Sequence, residues 1–228
     1  MTLEECAPAH TAKPAPYLQR YASHFEPIRR NVTSLFEMGI YEGGSMLMWR
    51  DYFEHATIAG LDINKVSVPD TTGRIRTYQG KQQDVALLNR IGQECAPDGF
   101  DVIIDDCSHI GVLTKTSFWP LFDHRLKPGG IYVIEDWGTG YWDTWPDGRR
   151  FKRRPDRIMQ FWRRNWGRRI FPSHQFGLPG FIKQLVDECA LGDITRDGKS
   201  ATTYRSEHCG ISRLDVYQGQ VFVLKALC

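Results

Sequence analysis

Two stretches decide the fold: Phe100-Asp101-Val102-Ile103-Ile104-Asp105-Asp106-Cys107-Ser108-His109 and Pro128-Gly129-Gly130-Ile131-Tyr132-Val133-Ile134-Glu135-Asp136-Trp137. Each contains a short apolar, β-branched run that ends abruptly in carboxylates. Such a run is typical of a parallel strand that is buried on both faces and whose carboxyl end meets solvent. A predicted helix from Leu113 to Leu121 connects them. The sequence therefore predicts two parallel strands whose acidic ends lie at the same edge of a sheet.

The rest of the chain continues this alternation of strands and helices. It predicts a doubly wound, Rossmann-like α/β fold with a mostly parallel seven-stranded sheet and an antiparallel C-terminal hairpin. The further predicted strands are Ser34 to Met38, Thr57 to Leu61, Arg74 to Tyr78, Ile211 to Tyr217 and Gln220 to Ala226, and the further helices begin near Tyr17, Met46, Val85 and Phe181.

A glycine-rich turn follows the first strand, as Gly39-Ile40-Tyr41-Glu42-Gly43-Gly44-Ser45. Glycines allow a ligand to approach the backbone closely, and the next helix offers free N–H groups at its start. Asp62 ends the second strand about twenty residues later, where Rossmann-like domains place an acid on ribose hydroxyls. The alternative is that Asp62 only caps a loop.

Composition is consistent with one domain over residues 1–228, because 41% of the residues are hydrophobic. Residues 1–16 are rich in Ala and Pro and are expected to be flexible. No apolar run reaches the length of a membrane span and no signal-peptide pattern opens the chain, so we expect a cytoplasmic protein. The six cysteines form no C-x-x-C pair, which favours reduced thiols.

A basic stretch between Arg149 and Arg169 carries ten Lys or Arg and one acid, a formal charge of +9 in a chain of net charge +2. It belongs to a long connection over residues 138–179, interpreted as a lid or substrate-recognition insertion with a helix from Arg157 to Trp166. Pairing with acids of a partner subunit and contact with nucleic acid remain alternatives.

The order of elements resembles class I S-adenosylmethionine-dependent methyltransferases, and the turn Glu37-x-Gly39-x-x-x-Gly43 has their E-x-G-x-x-x-G form. More narrowly, the chain resembles the macrocin O-methyltransferase family, which methylates sugar hydroxyls of glycosylated natural products. The resemblance extends from about Tyr17 to Tyr141. It rests on the segments 35–45 with Met48-Trp49, 58–62, 103–109 and 128–136.

This resemblance implies a binding site for S-adenosylmethionine and a Mg²⁺ site. We expect the cofactor to contact Glu37, Gly39, Tyr41, Gly43, Ser45, Asp62, Gln82 and Asp105. The carboxylates of Asp105, Asp106, Glu135 and Asp136 are expected at one crevice and need a cation there, and hard oxygen ligands suit Mg²⁺. By resemblance the Mg²⁺ ligands are Asp106, Glu135 and Asp136. One departure is Lys81, which stands where an acid is expected.

His109, three residues after Asp106, is the expected general base, and Asp106 is counted with it as catalytic. A bound metal would lower the pKa of a sugar hydroxyl, whose proton His109 could then accept. The competing interpretations are that Ser108-His109 caps the next helix and that Glu135 and Asp136 are solvated loop acids.

The sequence therefore predicts Mg²⁺-dependent methylation of a sugar in a glycosylated natural product, an oligosaccharide or a polysaccharide precursor. One alternative is RNA methylation through residues 149–169, although nucleic acid is the less favoured partner. Another is a non-catalytic protein that binds S-adenosylmethionine. A nicotinamide dehydrogenase is disfavoured, because the chain has no G-x-G-x-x-G turn. A homo-oligomer is compatible with the sequence.

Overall fold

A computed structural model describes residues 2–153, 174–191, 207–208 and 210–227. Its centre is a seven-stranded sheet in the order β3-β2-β1-β4-β5-β7-β6. The strands are β1 (Ser34–Met38), β2 (Thr57–Asp62), β3 (Ile75–Gln79), β4 (Phe100–Asp105), β5 (Leu126–Glu135), β6 (Ile211–Val216) and β7 (Gln220–Lys225). The first five are parallel, and β7 runs antiparallel to both β5 and β6. This confirms the predicted fold class.

Helices cover both faces of the sheet, as the alternating pattern predicts. They are α1 (Leu3–Cys6), α2 (Ala15–Phe25), α3 (Gly44–Tyr52), α4 (Val85–Cys95), α5 (Gly111–His124), α6 (Pro146–Arg153) and α7 (Gly177–Ala190), with short 3₁₀ turns at Ala7–Ala9, Arg29–Asn31 and Trp137–Tyr141. One apolar core lies between the sheet and α4, α5 and α7, and a second lies beneath α1, α2 and α3. No helix in the described ranges combines the length and apolar character that crossing a bilayer requires.

The parallel order brings the carboxyl ends of β1, β2, β4 and β5 to one edge of the sheet. The β1–β4 register pairs Met38 with Asp105, and the β4–β5 register pairs Asp105 with Ile134. Asp106 and Glu135 therefore lie side by side at that edge. The crossover from β1 to β4 makes it the point where ligands bind in open α/β sheets.

The N-terminal residues differ from the flexible tail that the sequence predicts. Leu3 and Cys6 are buried in the core, and the capping box of α1 at Thr2 and Glu5 begins an ordered helix. Residues 10–14 then cross the sheet edge before α2 begins. The predicted helix from Arg157 to Trp166 and most of the basic stretch lie outside the described residues.

Candidate active site

The glycine turn after β1 is locked to the end of β4. Gly39 has a φ of +86°, a left-handed conformation that favours glycine. A side chain there would also overlap with the backbone carbonyl of Asp106. The Asp106 N–H donates to the Met38 carbonyl at 2.9 Å. The turn and the first acidic cluster therefore form one rigid unit.

Asp62 fixes the same turn from the end of β2. Its Oδ2 accepts the N–H groups of Ile40 at 3.2 Å and Tyr41 at 3.0 Å, and its Oδ1 accepts the Asn64 N–H at 2.9 Å. Both carboxylate oxygens thus have backbone partners, as the loop-capping interpretation requires. Asp62 nevertheless lines the adjacent cavity, so the two interpretations are compatible.

A cavity of about 520 Å³ lies over the glycine turn, which is a typical size for a small-molecule site. Of the eight residues predicted to bind the cofactor, Gly39, Tyr41, Asp62 and Gln82 line it. The other four, Glu37, Gly43, Ser45 and Asp105, do not reach this cavity. Lys81, Asn64 and Ser108 also belong to the lining, although the sequence analysis did not name them as cofactor contacts.

The carboxyl groups of Asp105 and Glu37 are buried behind the residues that line the cavity. The Asp105 carboxyl is buried and accepts weak hydrogen bonds of 3.4 and 3.5 Å from Gln82 Nε2, and Gln82 Oε1 accepts the Ser108 N–H at 3.3 Å. Ser45 donates to Glu37 Oε2 at 2.6 Å. Burial raises the pKa of both carboxyls to about 7. Glu37 and Asp105 can therefore exist in either protonation state near neutral pH.

The carboxylates of Glu37, Asp106, Glu135 and Asp136 are here called the carboxylate cluster, and the first three lie around a lysine, Lys13, that the sequence did not predict. Lys13 Nζ lies 2.7 Å from Asp106 Oδ2, 2.7 Å from Glu135 Oε1 and 3.9 Å from Glu37 Oε1. Burial alone would lower the pKa of Lys13, but these carboxylates outweigh it and hold that pKa well above its usual range.

Two tyrosines of α2 also bind the cluster. The Tyr21 hydroxyl donates to Glu135 Oε1, and the Tyr17 hydroxyl donates to Asp136 Oδ1 at 2.6 Å. Burial raises the pKa of Glu135 to about 7, although Lys13 and Tyr21 favour its ionised form. Burial also raises the pKa of Asp106. Glu135 is buried and hydrogen-bonded, so it is not a solvated loop acid.

His109 lies at the open side of the cluster. Its Nε2 is 3.8 Å from both Asp106 Oδ1 and Asp136 Oδ2. Burial lowers its pKa, against the opposing charges of Asp136 and Glu135. A neutral imidazole beside two carboxylates can accept a proton and then be stabilised as a cation.

The loop that carries His109 is held by residues after β5. Trp145 Nε1 donates to the Ser108 carbonyl at 3.0 Å, and Asp147 Oδ2 accepts the Gly111 N–H at 2.8 Å. The N-cap of α5 is Ile110, with no capping hydrogen bond from its own side chain. The Asp147 carboxylate therefore binds the first N–H of α5, while Ser108 Oγ accepts the N–H of the N-cap residue Ile110 at 3.3 Å, in partial agreement with the capping interpretation.

Three non-glycine residues around the site have positive φ angles. They are Tyr41 at +47°, His109 at +53° and Asp136 at +53°. Each follows a different strand, β1, β4 or β5. Such left-handed residues cost conformational energy and are concentrated at functional sites.

The donor set fits a hard divalent cation. Asp106, His109 and Asp136 each offer a ligand atom, and these atoms lie within 4.8 Å of one another. Glu37 Oε1 is buried, and none of the described residues donates a hydrogen bond to it. Asp106 and Asp136 supply the hard oxygen ligands that suit Mg²⁺, whereas the His109 imidazole is a softer donor. Glu135, the third predicted ligand, instead faces Lys13 and Tyr21.

A second cavity of about 450 Å³ lies on the other side of the glycine turn. Residues 10–14, Tyr17, Ser45 and the acids Asp106, Glu135 and Asp136 line it. It shares Gly39, Tyr41 and Asp106 with the first cavity. A ligand in one cavity would therefore lie next to a ligand in the other.

Two curated relatives align with most of the chain, although no family model matches it. The mycinamicin VI 2''-O-methyltransferase of Micromonospora griseorubida is 42% identical over 217 residues, covering 92% of this chain and 48% of that protein. The demethylmacrocin O-methyltransferase of Streptomyces fradiae is 31% identical over 219 residues, covering 92% and 49%. The chain thus spans about half the length of these relatives.

A solved structure agrees with this similarity. The MycE methyltransferase from the mycinamycin biosynthetic pathway, in complex with Mg and SAH, superposes with a TM-score of 0.76 and 31% sequence identity. The superposition covers 100% of this chain and 55% of that chain.

Proposed function

Because the chain belongs to the macrocin O-methyltransferase family, we propose that it transfers a methyl group from S-adenosylmethionine to a sugar hydroxyl. The acceptor sugar would belong to a glycosylated natural product, an oligosaccharide or a polysaccharide precursor. The reaction would require Mg²⁺. One observation carries the proposal: the two cavities meet at Gly39, Tyr41 and Asp106, beside the carboxylate cluster. This arrangement suits a methyl donor on one side and an acceptor oxygen on the other.

The first cavity is the proposed donor site. Gly39, Tyr41, Asp62 and Gln82 would contact S-adenosylmethionine, and Asp105 would support Gln82 from behind. Ser45 lines the second cavity and donates to Glu37, so these two residues and Gly43 would shape the turn between the cavities. Glu37 Oε1 is buried and lies 3.9 Å from Lys13 Nζ, so Glu37 would act through the turn, by accepting a hydrogen bond from the Ser45 hydroxyl, and not through direct contact with the donor.

The carboxylate cluster is the proposed metal site, with Asp106, Glu135 and Asp136 holding Mg²⁺. When bound, S-adenosylmethionine supplies an electrophilic methyl group and Mg²⁺ lowers the pKa of an acceptor hydroxyl. Tyr17 and Tyr21 orient Asp136 and Glu135 through their hydroxyl groups. Such outer hydrogen bonds fix the direction of metal ligands.

His109 is the proposed general base. Its lowered pKa keeps the imidazole neutral, so Nε2 can take the proton that the acceptor hydroxyl loses during methyl transfer. Asp106 and Asp136, each 3.8 Å away, would then stabilise the imidazolium. Trp145 and Asp147 hold the backbone on either side of His109.

The test begins with calorimetric titration of S-adenosylhomocysteine into the protein, followed by titration of MgCl₂ into the complex. The loaded protein is then given labelled S-adenosylmethionine and either glycosylated macrolides, related oligosaccharides or RNA. The proposal expects cofactor binding, a Mg²⁺ site and label in a sugar-containing acceptor. Label in RNA alone, or cofactor binding without any Mg²⁺ site, would contradict it.

A further inference from the structure

We infer that Lys13 is an internal competitor for the divalent cation, and that metal binding must displace its ammonium from the carboxylate cluster. The inference rests on the metal site of the proposed function and adds a step that regulates that site. The segment that carries Lys13, residues 10–14, would act as a strap that keeps the cluster neutralised until the metal enters.

The contacts of Lys13 carry the first step. Its Nζ binds Asp106 Oδ2 and Glu135 Oε1 at 2.7 Å each, and only 9% of its side chain is exposed. Both acids belong to the proposed ligand set. A divalent cation that draws on these two oxygens must take them from the ammonium, because two adjacent positive charges repel each other strongly in a buried site.

Helix α2, which follows the strap, holds the remaining proposed ligand. Tyr17, three residues after Pro14, donates to Asp136 Oδ1 at 2.6 Å. Lys13 and Tyr17 together therefore contact Asp106, Glu135 and Asp136. In the absence of metal these contacts keep the acids close together despite their mutual repulsion.

The ends of the strap are fixed, so the movement can be confined to its centre. At one end His10 Nε2 lies 2.9 Å from Asp51 Oδ2, and the His10 carbonyl packs against Gly44. At the other end the strap leads into α2, where Tyr17 and Tyr21 bind the cluster. The long Lys13 side chain can leave through rotation about its own bonds while both anchors remain.

Displacement would also change the proposed acceptor site. Residues 10–14 line the second cavity together with Asp106, Glu135 and Asp136. When the ammonium leaves the cluster, the distribution of charge on the wall of that cavity changes. Metal loading and acceptor entry are therefore coupled through the same side chain.

The first experiment compares Mg²⁺ affinity in the wild-type protein and Lys13→Gln, both saturated with S-adenosylhomocysteine, by calorimetric titration with MgCl₂. Removal of the competing charge should raise the affinity by about tenfold or more. Lys115→Gln is the matched control, because Lys115 is exposed on α5 and binds Gln184. Its affinity should equal that of the wild type.

A second experiment uses the wild-type protein and detects the displacement directly. An amine-acylating reagent is applied with and without MgCl₂, and the modification of each lysine is followed by mass spectrometry. Lys13 should react slowly without metal and at least about tenfold faster with it, since a buried, paired ammonium is protected. Lys115 should react at the same rate in both conditions.

Two results would overturn the inference and leave the proposed function intact: equal Mg²⁺ affinities in wild type and Lys13→Gln, or Lys13 labelling that does not respond to bound metal. Failure of both proteins to bind Mg²⁺ would overturn the inference and the metal-dependent part of the proposed function together. Faster Lys13 labelling would show that the ammonium leaves the cluster. A lysine that stays in place and only repels the metal would not become more reactive.

Discussion

Asp105 and Asp106 are consecutive residues whose carboxyl groups face different sites. Asp106 Oδ2 lies 2.7 Å from Lys13 Nζ, within the carboxylate cluster. The Asp105 carboxyl is buried beside Gln82, behind the wall of the 520 Å³ cavity, and does not line it. Since Asp105 ends β4 and Asp106 follows it, the alternation of side chains along an extended chain separates their roles.

The first prediction separates these two acids. Asp106→Asn should weaken Mg²⁺ binding by at least about tenfold, because even the loss of a residue that only hydrogen-bonds to a metal ligand lowers metal affinity by that much. Asp105→Asn should change Mg²⁺ affinity by less than about threefold, since its carboxyl does not face the cluster. Calorimetric titration with MgCl₂ measures both. A larger loss in Asp105→Asn than in Asp106→Asn would mean that Asp105 is the ligand.

The second prediction concerns His109. His109→Asn should reduce the rate of methyl transfer by about 10²- to 10⁴-fold, the usual contribution of a general base. Asparagine suits this position because it tolerates the left-handed backbone. The affinity for S-adenosylhomocysteine should change by less than about twofold.

His124→Asn is the matched control for His109, because His124 is exposed at the end of α5. It should leave both the rate and the affinity unchanged. Near-normal turnover in His109→Asn, measured with an acceptor that the wild type methylates, would remove His109 from the mechanism.

The third prediction tests the contact between the glycine turn and β4. Gly39→Ala should lower the free energy of unfolding by more than about 3 kcal/mol, because a Cβ would overlap with the Asp106 carbonyl. Gly73→Ala should cost only about 1 kcal/mol, since Gly73 has a φ of +69° but a Cβ at this position would meet no atom within 4 Å. Urea unfolding compares the two, and equal losses would show that backbone strain alone matters.

The fourth prediction concerns Asp101, which joins β4 to the start of β1. Asp101 Oδ2 accepts the Thr33 and Ser34 N–H groups at 2.8 and 3.0 Å, and Oδ1 binds Lys127 Nζ at 2.8 Å. Asp101→Asn should therefore lower the free energy of unfolding by about 2 kcal/mol at neutral pH. Exposed Asp98, changed to Asn, is the control and should have little effect.

The pH dependence of this loss has a definite sign. Burial tends to raise the pKa of Asp101, but the hydrogen bonds from Lys127 and Thr33 outweigh it and lower the pKa below its ordinary 3.8. The stabilisation is thus complete above that value and is lost as the pH falls through the lower, folded-state pKa. The difference between wild type and Asp101→Asn should shrink in acid, and a difference that grew in acid would contradict this assignment.

Much of the fold follows from local patterns. The predicted strand from Ser34 to Met38 coincides with the observed bounds, and the helix predicted to begin near Val85 begins there. Strand β5 is longer than its apolar run from Ile131 to Ile134 and begins at Leu126, because the Lys-Pro-Gly-Gly segment is included across an irregularity in the β4–β5 register. The convergence of Asp106 and Glu135 follows from the parallel strand order, so it was also predictable.

Lys13 was not predictable in this way. It lies in an Ala- and Pro-rich segment without hydrophobic periodicity, and its partners Asp106 and Glu135 are 93 and 122 residues away in the chain. The hydroxyl contacts of Tyr17 and Tyr21 were not predictable for the same reason, because their partners Asp136 and Glu135 are 119 and 114 residues away in the chain. A cluster of carboxylates needs a cation to balance its charge, but no pattern in the sequence identifies Lys13 as that cation.

The left-handed backbone at Tyr41, His109 and Asp136 has a consequence for protein engineering. Glycine would adopt these angles without steric cost, so these three side chains are kept against a conformational cost, which fits the roles proposed for them. A library of variants screened for heat resistance alone should therefore accumulate glycine at these positions and lose turnover. Activity must be part of any such screen from its first round.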